Sequence, residues 1–158
     1  MGKKLVIYGA DFSENGIATK QVIGTTEELD ITASMGDVTW IFNKRCEISG
    51  KIVKIGANVD TVGDLKLKVF DGLTKTLKSS TPLTFSETGI QEIDVSDLNI
   101  YVEPGDYIAY FGTQAGIQTS FIAQSDTMIY YHGGDVTSIE LGDNHNMNKH
   151  AIQIIIEI

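Results

Sequence analysis

From about Asp37 to the end, apolar and polar residues alternate along the chain with a period of two. Alternation of this kind puts one set of side chains on each side of an extended backbone, as in half-buried strands. In DVTWIFN, Val38, Trp40 and Phe42 share a face. In KIVKIGANVD, Val53, Ile55, Ala57 and Val59 share one, with Lys54, Asn58 and Asp60 opposite. In GDLKLKVF, Leu65, Leu67 and Val69 face in while Lys66 and Lys68 face out. IQEIDVS sets Ile93 and Val95 against Glu92 and Asp94. GDYIAYFG and HAIQIIIEI are apolar on both faces and read as covered, central strands. Ile152, Ile154, Ile156 and Ile158 line one face of the last strand.

Turn signals separate these runs: Ser49-Gly50, Gly63-Asp64, Asp71-Gly72, Thr88-Gly89, Pro104-Gly105-Asp106, Gly133-Gly134-Asp135 and Gly142-Asp143-Asn144. No stretch carries apolar residues at helical spacing, and TTEELDI supports a single turn at most. The pattern predicts an all-β fold over residues 31–158: about eight or nine strands in one antiparallel β-sandwich of jelly-roll type.

Residues 1–30 read differently. Two short apolar pieces, Leu5–Tyr8 and Ile17–Ile23, sit in polar, turn-prone sequence, and Thr19, Lys20 and Gln21 interrupt the second. This predicts an extended N-terminal arm outside the sandwich core. A lone strand is unstable in water, because its ladder groups and its apolar face need partners. Leu5, Val6, Ile7, Tyr8 and Phe12 must therefore be covered, either by an edge of the same sandwich or by another chain through strand addition. The long polar stretch between arm and sandwich favours another chain.

Composition narrows the classes. The 158 residues suit one domain with an appended arm, and 42% hydrophobic residues suffice for a core. Lys3 and Lys4 suggest a secretory leader, but its apolar segment needs roughly 7–15 residues. Leu5–Tyr8 is too short, and Asp11 and Glu14 follow. No stretch approaches the roughly 18 apolar residues of a membrane helix. The expectation is a chain made without a signal peptide and without a membrane partner. A net charge of −9 argues against nucleic acid, which is bound through clustered cations. Lys44-Arg45 and the Lys66/Lys68 pair read as solvated strand faces. Cys46, the single cysteine, reads as a small, half-buried apolar residue.

Candidate chemistry is sparse. DNHNMNKH brings Asp143, Asn144, His145, Asn146 and His150 together, but the spacing fits neither a transition-metal nor a calcium loop, and it reads as a polar surface loop. Ser125 or Ser138 with His132 and Asp135 makes a hydrolase triad only on paper, without a nucleophile elbow. No enzyme activity, metal or cofactor is expected. In DTMIYYHGGD, alternation exposes one of Tyr130 and Tyr131 at a strand end, beside His132, Asp135 and a glycine turn. An aromatic ring with polar neighbours could stack on a sugar, so Tyr130, Tyr131, His132 and Asp135 are candidate glycan contacts.

The segment KKLVIYGADFSENGI carries Lys4, Leu5 to Tyr8, Gly9, Ala10, Asp11, Phe12, Ser13 and Ile17 in an order that resembles a family's N-terminal segment. That family comprises virion and tail-associated proteins of phages of gut Bacteroidales, crAss-like phages included. SETGIQEIDV and VEPGDYIAYF also resemble the sandwich modules that follow the segment there. Many relatives continue into an SGNH-type hydrolase, but here no Gly-Asp-Ser block is present. The resemblance implies a non-enzymatic virion protein, a short head fibre or capsid decoration ahead of a tail or collar component. Its arm, through Leu5, Val6, Ile7, Tyr8, Asp11, Phe12 and Ile17, would bind other copies of itself (as a dimer or trimer) and a capsid or tail protein. The alternative is an adhesion module that recognises bacterial surface glycans.

Overall fold

A computed structural model describes residues 5–7, 10–12, 18–29, 31–34, 37–112, 115–120, 128–140 and 145–158. The early strands are β1 (Leu5–Ile7), β2 (Ala10–Phe12), β3 (Ala18–Gly24), β4 (Ile31–Ser34) and β5 (Val38–Phe42). The middle of the chain forms β6 (Gly50–Thr61), β7 (Gly63–Phe70), β8 (Leu77–Phe85), β9 (Gly89–Asp94) and β10 (Ile100–Val102). The rest forms β11 (Tyr107–Gly112), β12 (Gly116–Ser120), β13 (Met128–Gly133), β14 (His145–His150) and β15 (Ile152–Glu157). Among the described residues the only helical element is a single 3-10 turn, Ser96–Leu98, so the all-β expectation holds.

Every strand pairing is antiparallel, and the strands divide into two halves. One runs β1-β2-β3-β15-β6, with β9 and β10 end to end along the far edge of β6. The other runs β14-β13-β5-β11-β7-β8. β12 links them: it pairs with β6 at Gly116–Ile117, with β14 at Thr119–Ser120, and with β4 along its other side. Ile52, Ile55, Ile154 and Ile156 of the first half meet Trp40, Phe42, Leu65, Leu67, Val69, Ile108 and Tyr110 of the second in one buried cluster. That is a sandwich core, built from the inward side chains of both sheets.

The alternation places most inward residues correctly. Leu65, Leu67 and Val69 are buried, and so are Ile152, Ile154 and Ile156. Ile158 departs from its face and is exposed past the end of β15. In β6 the phase slips. Ile52 pairs with Ile156 and Lys54 with Ile155, so Val53 is an extra residue opposite one step of β15. Ile52 takes the core position, and Val53 is only half-buried. A bulge shifts facing by one residue, which strict alternation cannot anticipate.

The expected boundary at residue 30 also moves. β3 lies hydrogen-bonded between β2 and β15, with Ile23 opposite Ile154 and fully inside the core. Gln21, read as an interruption, is buried: its amide donates to the Arg45 carbonyl (3.0 Å) and its side-chain oxygen accepts from the Glu47 N–H (2.7 Å). At the end of β3, Gly24 has φ +85°, and a Cβ there would fall 2.0 Å from the Ile152 carbonyl oxygen. The sandwich therefore begins by residue 18, and what lies beyond it is β1 and β2.

Candidate functional site

β1 and β2 extend the first sheet outward from β3. Leu5 pairs with Phe12, Val6 with Asp11 and Ile7 with Ala10, and β2 in turn pairs Ala10 with Gln21 and Asp11 with Lys20. The arm's backbone is thus laid against its own sandwich rather than standing clear of it. One side of β1 has no strand partner among the described residues. Tyr8 and Ile17 lie outside the described residues.

The tyrosine cluster is positioned otherwise than expected. β13 lies inside the sheet, with Tyr130 paired to Ile41 of β5 and to His145 of β14. Tyr131 pairs with Trp40 and His132 with Thr39, so this strand is not a free rim at Tyr130. Asp135 is already engaged. Its carboxylate receives Lys66 (2.5 Å) and the buried Lys68. Burial pulls its pKa up, but the two ammonium groups outweigh this and hold it below the usual carboxylate value. Lys68, 1% exposed, also donates to the Val136 carbonyl (2.6 Å). This pins segment 134–139 over the outer face of β5, β11 and β7, where Ile139 packs with Ile41, Phe70, Tyr107 and Ala109. The lysine pair read as a solvated face is half structural.

The histidine-rich stretch is not a surface loop. His145–His150 form β14, and Lys149 and His150 are buried. His150 packs on Trp40, ring centroids 4.6 Å apart, and its Nδ1 meets the Tyr110 hydroxyl. Burial pushes its pKa down to about 3, so the ring is neutral. Asp143 and Asn144 lie outside the described residues, as does Ser125. Ser138 sits in a bridge to Thr76. Among the described residues no group of three or more His, Cys, Asp or Glu is arranged to hold a metal ion. No helix among them is long and apolar enough to cross a membrane.

A second polar cluster escaped the sequence reading. Arg45 donates to the carbonyls of Gly105 (2.8 Å) and Gly72 (3.0 Å) and lies over the Tyr107 ring at 4.4 Å. Asp106 receives Lys78 (2.5 Å) and the N–H of Glu103 (2.9 Å). Cys46 is buried beside it, its thiol pushed up to about 12 by burial and then by the Asp106 charge. These contacts tie three turns together. A Cβ on Gly72 would meet the Gly105 carbonyl at 2.1 Å. The Pro-Gly-Asp turn signal marked the place, but its partners are far off in sequence.

The surface offers shallow grooves. One of about 580 Å³ is lined by Ser49, Lys51, Tyr101, Glu103 and Ile158, with Tyr101 64% exposed. The chain matches no protein-family model, no curated protein and no solved structure.

Proposed function

We propose that the protein is a non-enzymatic structural component of a phage particle, a short head fibre or capsid decoration ahead of a tail or collar part, attached through its N-terminal strands. The observation that carries this reading is β1, which extends the first sheet and leaves one ladder edge without a strand partner among the described residues. Unpaired edges favour strand addition by another chain. The resemblance of the KKLVIYGADFS segment to phage virion proteins agrees with it. We read the fold as a jelly roll, on the strand order β3-β15-β6-β9/β10 opposite β5-β11-β7-β8, with β12 to β14 inserted before the last strand. The charges of Lys66, Lys68, Asp135, Lys78 and Asp106 are spent on holding turns together, which suits a scaffold.

A second reading, adhesion to bacterial surface glycans, draws on the exposed Tyr101 ring in its groove beside Lys51 and Glu103. It is compatible with the first. The test is composition: mass spectrometry of purified particles from cells carrying the gene is expected to find the chain in many copies. A version lacking residues 1–9 is expected to be soluble, folded and missing from those particles. Particles that contain no chain, or that carry the shortened chain in full number, would contradict the proposal.

A further inference from the structure

Among the described residues the first sheet ends on strands that pair on one side only, β1 at one end and β9 and β10 at the other. We infer that β1 of one copy adds to β9 of the next, so that the sheet continues from molecule to molecule. The inference rests on the reading of the arm as an assembly element and names its acceptor.

Strand parity is the first argument. Across β9-β6-β15-β3-β2-β1 each neighbour is antiparallel. Six alternating strands leave β1 and β9 running in opposite directions. A second copy in the same orientation therefore presents a β9 antiparallel to β1, and the alternation carries on without a break.

The edge of β9 is open to it. Val95 N–H bonds to the Val53 carbonyl, so residues 91, 93 and 95 turn their ladder groups to β6 and residues 90, 92 and 94 turn theirs outward. The outward Ile90 carbonyl is met by the flexible Gln91 amide (3.1 Å), and the Ile90 side chain is 62% exposed. Another edge strand, β8, carries Lys78 and Pro82, residues that protect an edge; β9 has neither a Lys nor a Pro.

Charge gives the polarity. Antiparallel addition sets the start of β1, which Lys3 and Lys4 precede in sequence, against the Glu92–Asp94 end of β9, and its Val6-Ile7 end against Ile90. Glu92 pairs with Lys54 at 3.2 Å and its side chain is half exposed. The contact is head-to-tail, so it closes into a ring or runs on as a filament.

The test is sedimentation velocity with negative-stain microscopy on the full chain and its variants. The wild-type chain is expected to assemble as concentration rises. Ile90→Pro removes an outward N–H, not one used by β6, and is expected to give a folded monomer. Lys4→Glu or Glu92→Lys alone is expected to weaken assembly about tenfold, and the double variant to restore it. Should Ile90→Pro fail to fold, the charge exchange decides. A wild-type chain that stays monomeric overturns the inference, as does failure of the double variant to recover. If Ile90→Pro assembles normally while Val6→Pro does not, the arm remains the assembly element and β9 is the wrong acceptor. If both assemble normally, the reading of the arm falls too.

Discussion

Lys68 shows how a side chain's surroundings decide its role. On alternation alone it belongs with Lys66 on a solvated face, and its backbone does point that way. The segment after β13 then folds over it, and Asp135 and the Val136 carbonyl take up its charge. Removing one partner of a buried pair costs about 3–5 kcal/mol, whereas replacing the charge by an apolar residue of similar size is far milder. Asp135→Ala is therefore expected to destabilise the protein more than Lys68→Met, measured by urea unfolding. His150 makes a second prediction. Its folded pKa of about 3 lies below its unfolded value near 6.5, so the unfolded chain takes up the proton first. Its contribution is complete above the unfolded value and is lost as pH falls. Between pH 7 and pH 5 the loss is about 2 kcal/mol, and His150→Gln is expected to reduce that slope.

At the scale of the element, β5, β6, β7, β9, β11, β13 and β15 were legible because one face of each is polar or because both faces are apolar. The signal failed where a strand satisfies polar groups inside. β3 carries Gln21 and β14 carries Lys149 and His150, all buried with partners distant in sequence. Period-two reading treats a polar residue as outward, so it assigned β3 to an arm and β14 to a loop. Gln21 bonds two backbone groups of the turn after β5, and leaving such buried groups unpaired costs about 1–3 kcal/mol each. Gln21→Ala is expected to lower the unfolding midpoint clearly, while Thr19→Ala, at an exposed position, leaves it nearly unchanged.

For the whole molecule, sequence reading reached the class of fold, an all-β arrangement of antiparallel sheets around one core. It did not reach the register of the arm. The arm's register is set by β2 pairing with β3, a strand the period-two pattern had not placed in the sheet beside β15. Nor did it find the candidate acceptor edge, because β9 is recognisable as an edge only once β6 is seen with its other side filled by β15. The central claim is that β1 is the element through which this chain joins another. Sedimentation velocity of the full chain beside one lacking residues 1–9 tests it most directly. The account predicts that the full chain associates with rising concentration, whereas the shortened one sediments as a folded monomer with an unchanged near-ultraviolet circular dichroism spectrum. Equal association of the two chains would contradict it.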